Sequence, residues 1–178
     1  MLGAPASGKG TQGERLAEWL GVPHIAAGDL LRASIEDGDP FGIEEILGRG
    51  DLVPDEVTEK LLFPELGDGF VLDGYPRSPD QAARLDAHLE RIGRPLDAAV
   101  ELVVPEETLA ARMVLRAKEE HRADDTEKVF LHRFEEWRET AEALRGRYSD
   151  RLIQVNGTGS EDEVFERLVK SLEERVRA

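Results

Sequence analysis

The chain has 178 residues, 40% of them hydrophobic, and its 38 acidic and 23 basic residues give a formal net charge of −15. This composition predicts one folded domain, and the negative field disfavours nucleic acid and anionic membranes as partners. The sequence has no cysteine, which excludes disulfides and thiolate metal sites, and its start lacks the features of a signal peptide, so we expect a cytoplasmic protein.

Short apolar runs alternate with helical patterns along the whole chain. This alternation is typical of an α/β fold with a parallel sheet. Ser160, followed three residues later by Glu163, predicts a capping box at the start of the last helix. In chain order the predicted elements are helix 11–20, strand 24–26, helices 29–36, 41–47 and 55–62, strand 70–73, helix 80–92, strand 98–103, helices 106–117 and 126–147, strand 152–155 and helix 161–175.

The strongest motif is a glycine-rich loop near the start, residues 3–11, with the sequence GAPASGKGT. The spacing G-x-x-x-x-G-K is typical of loops that hold phosphates with backbone N–H groups at the positive end of a helix. Lys9 is expected to reach the β- and γ-phosphates, and Gly10 stands where the strict motif has Ser or Thr. An ordinary glycine-rich turn is the alternative. The residues expected to contact ATP in this loop are Ala6, Ser7, Gly8, Lys9, Gly10 and Thr11.

Only Met1 and Leu2 precede this loop, although a phosphate loop ordinarily follows a hydrophobic strand. Two explanations remain open. Either the first strand is truncated, through a shortened or misassigned start, or the two residues and a neighbouring segment take its place. We expect the first.

A second motif, residues 70–77 with the sequence FVLDGYPR, places an acid at the end of an apolar run. Parallel strands end at one edge of a sheet, so Asp73 is expected near the phosphate loop, where it can hold the Mg²⁺ of MgATP through water. Arg77 follows a Gly-Tyr-Pro turn and can clamp a second phosphate in bidentate fashion. The alternatives are a turn aspartate and a solvated surface arginine.

Four arginines in the second half of the chain form a third group, namely Arg112, Arg116, Arg122 and Arg133. Arg112 and Arg116 share a helix face, where like charges destabilise unless anions or carboxylates compensate. A solvated face paired with nearby glutamates is one interpretation. Because the chain also has a phosphate loop, these arginines are candidates to stabilise charge on a transferring phosphoryl group.

Several segments, in order, resemble the adenylate kinase family of nucleoside monophosphate kinases, in its short-lid form. The resemblance implies a P-loop kinase with a parallel five-stranded sheet flanked by helices, in a single domain 1–178. It implies a core of residues 1–25, 56–117 and 126–178, an insert 26–55 that closes over the monophosphate, and a lid 118–125 that closes over ATP. This lid lacks the length and the cysteines of zinc-binding lids, so we expect no zinc. The segments are GAPASGKGTQ at 3–12, GDLLR at 28–32, LVPD at 52–55, DGYPR at 73–77 with Gln81, and RADD at 122–125.

The resemblance implies reversible transfer of the γ-phosphoryl group from MgATP to AMP, giving two ADP. Arg112 is similar to a residue that stacks on the adenine of ATP, and Gln81 to the amide that reads the AMP base. The implied catalytic residues are Lys9, Arg77, Arg116, Arg122 and Arg133. Beyond the phosphate loop, the implied ATP contacts are Arg112, Arg116 and Gly159. The implied AMP contacts are Ala27, Arg32, Asp51, Leu52, Val53, Gly74, Tyr75, Pro76, Arg77, Gln81, Arg122 and Arg133.

Two alternatives to this function stay open. Ala27 stands where adenylate kinases typically have Thr, and in this respect the chain resembles uridylate/cytidylate kinases. Those kinases tend to have Asn at the position of Gln81, so AMP is expected rather than UMP or CMP. A truncated nucleotide-binding paralogue without turnover is the other alternative. Family members of this size usually work alone, which implies a monomer.

Overall fold

The computed structural model describes residues 1–119 and 126–177, which form a mixed α/β fold with parallel strands. The predicted strands and helices are confirmed, with ends that differ by at most three residues. The elements are α1 (Lys9–Leu20), β1 (His24–Ala26), α2 (Ala27–Glu36), α3 (Glu44–Arg49), α4 (Asp55–Leu62) with a 3₁₀ turn (Phe63–Glu65), β2 (Val71–Asp73), α5 (Pro79–Arg91), β3 (Ala99–Val103), α6 (Glu106–Glu119), α7 (Glu127–Arg147), β4 (Leu152–Asn156) and α8 (Glu161–Arg177).

The strands of the described residues form two parallel pairs. Strand β1 pairs with β2, where His24 lies opposite Val71, and β3 pairs with β4, where Ala99 lies opposite Leu152. The prediction of a single five-stranded sheet is therefore not confirmed, because the described residues form two two-stranded sheets.

Met1 and Leu2 lie between the two pairs. The N–H of Leu2 donates to the carbonyl of Val100 at 2.6 Å, and its carbonyl accepts from the N–H of Leu102 at 3.1 Å. On the other side, the amino group of Met1 donates to the carbonyl of Leu72 at 2.6 Å. Two residues offer too few backbone groups to pair both neighbours along their length, so the two sheets are bridged rather than merged.

Helices cover both faces of the strands. On one face, α1 and α8 pack against β3 and β4 in a cluster that includes Leu16, Val100 and Leu168. On the other face, α5 and α7 contribute Ala82 and Leu144 to a second cluster with Leu2 and Ala99. Neighbouring residues of β3 thus serve opposite faces, as the two-residue period of a strand requires.

A carboxylate is buried in the strand beside Leu2. Glu101 is 1% exposed, and it accepts hydrogen bonds of 2.6–3.1 Å from the guanidinium of Arg145 on α7. The side-chain amide of Gln154 on β4 donates to the same carboxylate at 2.9 Å. These partners satisfy the charge, without which the burial would be costly.

The carboxyl ends of all four strands lie at one edge of the fold, since the strands are parallel. The phosphate loop leaves Leu2 at this edge, and the segments that follow β1, β2 and β4 meet it there. Within residues 26–55, Leu31, Ile43, Leu47 and Val53 form a small apolar cluster of their own. Among the described helices, none combines the length and the apolar character needed to cross a membrane.

Candidate active site

A cleft of about 920 Å³ opens at this edge of the fold. The phosphate loop, the turns after β2 and β4, and faces of α2, α6 and α7 line it. The basic side chains among the lining residues are Lys9, Arg32, Arg77, Arg112 and Arg133. Six acidic side chains also line it, namely Glu14, Asp29, Asp73, Glu136, Glu139 and Glu161. The lining is therefore nearly balanced in charge, in a chain whose net charge is −15, and its basic side chains offer partners to anionic ligands.

The phosphate loop has a compact shape that its first glycine makes possible. Gly3 has a φ of 139°, and a Cβ built there would lie 2.9 Å from Ser7 Oγ and 3.0 Å from the carbonyl oxygen of Leu102. Gly8, with a φ of 92°, is the N-cap of α1. The first N–H groups of α1 have no intrahelical partner, so the loop presents donors and the positive helix end to the cleft.

Lys9 and Ser7 are two of the polar side chains of this loop. Lys9 Nζ donates to the carbonyl of Ala4 at 2.9 Å, which holds the ammonium against the loop. Ser7 is buried, and its hydroxyl has no hydrogen-bond partner among the described residues. A ligand with several acceptor oxygens fits such a set of donors.

Arg112 joins two loops of the cleft. Its guanidinium donates to the carbonyl of Ser7 at 3.1 Å and to the carbonyl of Gly157 at 2.8 Å. The loop after β4 is also held by Arg167 on α8, which donates to the carbonyl of Thr158 at 2.5 Å. Arg112 therefore connects α6, the phosphate loop and the loop that contains the predicted ATP residue Gly159.

Asp73 ends β2 beside the start of α1. Its Oδ2 lies 3.7 Å from the position of a Cβ built on Gly10, and its buried Oδ1 has no hydrogen-bond partner in the described part of the chain. The described residues contain no group of three or more His, Asp or Glu side chains placed to hold a metal. One carboxylate with a free buried oxygen fits Mg²⁺ that is bound chiefly by phosphates and water.

Arg77 is fixed at the turn after β2. Its Nε donates to the carbonyl of Gly74 at 2.9 Å, and its backbone N–H donates to Gln81 Oε1 at 2.7 Å. Burial lowers the pKa of Arg77, and the nearby charge of Arg133 lowers it further, while Asp73 opposes both effects. An anion bound between these arginines would relieve this repulsion.

Two more arginines reach the same part of the cleft from other elements. Arg32 on α2 forms an ion pair with Asp29 one turn earlier. Arg133 on α7 donates to the carbonyl of Leu47 on α3 at 3.4 Å.

Both polar atoms of the Gln81 side chain are hydrogen-bonded within the protein. It is 3% exposed, and its Nε2 donates to Asp55 Oδ1 at 2.6 Å while its Oε1 accepts from the backbone of Arg77. Tyr75 is buried beside it and donates to the carbonyl of Gln81 at 3.2 Å. Both residues therefore support the turn that carries Arg77.

Most predicted site residues lie together. Those that line the cleft are Ala6, Ser7, Gly8, Lys9, Gly10, Thr11, Arg32, Leu52, Asp73, Gly74, Pro76, Arg77, Arg112, Arg133 and Gly159. The predicted residues that are described but do not line it are Ala27, Asp51, Val53, Tyr75 and Gln81. Arg122 lies outside the described residues, as does the side chain of Arg116 and most of the predicted lid 118–125.

One face of α7 is a part of the cleft that the sequence analysis missed. Glu136, Trp137 and Thr140 line the cleft beside Arg133. Burial raises the pKa of Glu136, although the charges of His132 and Arg77 oppose the rise. These residues follow Arg133 at i+3, i+4 and i+7, a helical spacing that could have placed them on the same face.

Parallel strands thus bring a phosphate loop and arginines from other elements into one cleft. This arrangement defines the class as a P-loop protein with a cleft suited to phosphate-bearing ligands. A sequence model of the family described as Adenylate kinase matches residues 1–153. The chain belongs to the adenylate kinase family, whose members are nucleoside monophosphate kinases.

The similarity to individual relatives extends over nearly the whole length of both chains. The chain is 45% identical over 181 aligned positions to the adenylate kinase of Xanthomonas campestris pv. campestris (strain 8004), with 97% of each chain covered. It is also 45% identical over 179 positions to the adenylate kinase of Mycolicibacterium smegmatis, again with 97% of each chain covered.

Proposed function

We propose that this chain catalyses the reversible transfer of the γ-phosphoryl group from MgATP to AMP, giving two molecules of ADP. The observation that carries the proposal is that the phosphate loop with Lys9 shares one cleft with Arg77 and Arg133. Membership of the adenylate kinase family supports the same reaction.

On the donor side, the N–H groups of the phosphate loop and Lys9 bind the β- and γ-phosphates of ATP. Arg112 and Gly159 form the part of the site near the adenine. The hydrogen bonds of Arg112 to Ser7 and Gly157 support this assignment, because they tie the phosphate and base ends of the ATP site together.

On the acceptor side, Arg32 and Arg77 bind the phosphate of AMP, and the main chain of Asp51, Leu52 and Val53 lies along the base. The contact of Gln81 with Asp55 gives it a supporting role, and reading the base edge would require it to exchange that partner. Residues 26–55 act as the insert that closes over AMP, residues 118–125 as the lid over ATP, and the rest as the core of a five-stranded fold with a short first strand.

The chain's own residues position and neutralise charge rather than move a proton. Phosphoryl transfer depends mainly on alignment of the two phosphates and on stabilisation of the transferring group. Lys9, Arg77 and Arg133 provide positive charge around that group, joined by Arg116 and Arg122 when the lid closes. Asp73 would hold Mg²⁺ through water, and the ion bound with ATP would supply positive charge at the phosphate oxygens. Closure of the insert and lid excludes water, which would otherwise accept the phosphoryl group.

Two alternatives differ in acceptor or in turnover. A UMP/CMP kinase is favoured by Ala27 and by the engagement of the Gln81 amide with Asp55. A nucleotide-binding protein without turnover would keep the phosphate loop but transfer nothing. Small nucleotides are the expected partners, and we propose a monomer that works in the cytoplasm.

The test is a coupled assay of ADP formation with MgATP and AMP, UMP or CMP as the acceptor, with Lys9→Ala as the background. Turnover with AMP well above that with UMP and CMP supports the proposal. Preference for a pyrimidine monophosphate would replace it with the first alternative. ATP binding by a folded sample without any turnover would replace it with the second.

A further inference from the structure

The insert and α7 meet where His132 faces Asp51, and neither of these two residues lines the cleft. His132 Nε2 lies 3.0 Å from Asp51 Oδ1, although the two residues are 81 positions apart in the chain. The imidazole also lies 3.8 Å from Glu136 Oε1 on its own helix. His132 therefore stands between a carboxylate of the insert and a carboxylate of the core.

The insert sits close to α7 at this point. A Cβ built on Gly50 would lie 2.7 Å from Val129 Cγ1, so the segment before Asp51 touches the helix directly. One residue after His132, Arg133 donates to the carbonyl of Leu47 in the insert. The contact of His132 thus adjoins an arginine of the cleft and the main chain that is expected to lie along AMP.

The charges around His132 decide what its protonation does. From the insert, Asp51 faces it, and Arg49 donates to Asp51 at 2.8 Å and also pairs with Glu45. The hydrogen bond from Arg49 is the largest effect that lowers the pKa of Asp51, which keeps this carboxylate ionised. From α7, Glu136 faces the imidazole.

Glu136 and Asp51 repel each other. Burial raises the pKa of Glu136 and the charge of Asp51 adds to that rise, whereas His132, Arg77 and Arg133 oppose it. An imidazolium between the two carboxylates attracts both and adds to the attraction from Arg49, Arg77 and Arg133, while a neutral imidazole adds none. Protonation of His132 therefore favours the docked insert.

We propose that His132 is a positioning residue that, when protonated, holds the AMP-binding insert against α7 through Asp51, so that the apparent affinity for AMP falls as the pH rises from about 6 to about 8. This inference rests on the proposed function. His132 is 44% exposed, so substitutions there should leave the fold intact.

The test compares KM for AMP in the wild type, His132→Asn and His132→Lys from about pH 6 to about pH 8. The phosphate of AMP also titrates in this range. The KM for AMP of each protein is therefore divided by the KM of His132→Asn at the same pH. The wild-type ratio should rise about two- to fivefold across the range, as expected for a partly exposed ion pair. His132→Lys, with its permanent charge, should keep the low KM at both ends.

The controls separate this contact from other effects of pH. His88→Asn on α5, far along the chain from the insert, should preserve the wild-type profile, and KM for ATP should show no dependence on residue 132. A flat ratio, or a Lys variant that behaves like the Asn variant, would overturn the inference. Absence of turnover with AMP at every pH would instead refute the proposed function.

The chain has no cysteine, so a labelled pair can report the position of the insert without turnover. Spin labels on cysteines placed at the exposed residues Glu44 and Glu142 should move apart as the pH rises in the wild-type background. The His132→Lys background should show no such movement. Equal distances at both pH values in the wild-type background would also overturn the inference.

Discussion

Ala6 is a phosphate-loop residue held in a backbone conformation that its side chain disfavours. Its φ is 61°, in the left-handed region, which costs a residue with a Cβ roughly 1–2 kcal/mol. Ala6 lines the cleft, so the rest of the loop and its neighbours must hold it in this shape. Strain of this kind is often found where a backbone is preorganised for a ligand.

The substitution Ala6→Gly should stabilise the protein. Glycine relieves the left-handed strain but gains freedom in the unfolded chain, so we expect a net gain of up to about 1 kcal/mol in the free energy of unfolding. Urea denaturation measures it. The control Ala33→Gly, at an exposed position of α2, should destabilise by about 0.5–1 kcal/mol. A loss of similar size in both variants would contradict the argument.

At the scale of elements, Arg112 is the side chain through which α6 holds the ATP end of the cleft. Arg112→Met keeps much of the aliphatic volume but removes both hydrogen bonds to the loops. We expect KM for ATP to rise about tenfold or more, because charge-assisted hydrogen bonds contribute about 1.5–3 kcal/mol. KM for AMP should change little.

Steady-state kinetics with each nucleotide varied in turn measures the two constants. Arg138→Met is the matched control, since Arg138 lies on α7 and pairs with Glu135 at the surface. If the two variants raise KM for ATP equally, the contacts of Arg112 with the two loops do not explain its effect on ATP binding.

The start of α8 offers a test by pH. Glu163 Oε2 accepts from the backbone N–H of Ser160 at 2.8 Å, and the N–H of Glu163 donates to Ser160 Oγ at 3.3 Å, which confirms the predicted capping box. The hydrogen bond from the Ser160 backbone is the first cause that lowers the pKa of Glu163. A depressed carboxylate pKa stabilises the fold above the ordinary pKa of glutamate, and this stabilisation is lost as the pH falls.

Glu163→Ala should therefore lower Tm near neutral pH, and the difference from the wild type should shrink as the pH falls below the ordinary glutamate range. Thermal unfolding at several pH values measures this. Glu166→Ala, at another exposed position of the same helix, should show a smaller and less pH-dependent difference. A constant difference at all pH values for Glu163→Ala would argue against the capping carboxylate.

At the scale of the whole molecule, the buried Glu101 lies where the two strand pairs are bridged. Arg145→Met leaves this carboxylate without its cation, and we expect a loss of about 2–3 kcal/mol, below the full cost of breaking a buried pair because Arg145 is 40% exposed. The double variant Glu101→Leu with Arg145→Met should recover much of that loss. Urea denaturation of Arg145→Met, Glu101→Leu and the double variant checks the non-additivity, and a double variant as unstable as the sum of the two single ones would contradict it.

The sequence predicted what depends on local spacing. The phosphate loop, the strand that ends in Asp73 and the turn that holds Arg77 are short contiguous patterns, and each lies where it was expected. Contacts between distant segments could not be predicted from local spacing. The pairing of Gln81 with Asp55 and the backbone bonds of Leu2 to β3 depend on how elements pack, which no local period encodes. The cleft face of α7 was missed because its charged residues match a solvated helix equally well.

Gly3 is a position where this sequence can accept few substitutions during evolution. Any other residue there meets the carbonyl oxygen of Leu102, a backbone atom that cannot swing aside, and must also adopt a disfavoured φ. Gly67, by contrast, has no atom within 4 Å of a built Cβ and no positive φ. Under selection for growth, lineages should accumulate varied residues at position 67 while position 3 stays unchanged, so the substitution rates at the two positions should differ widely.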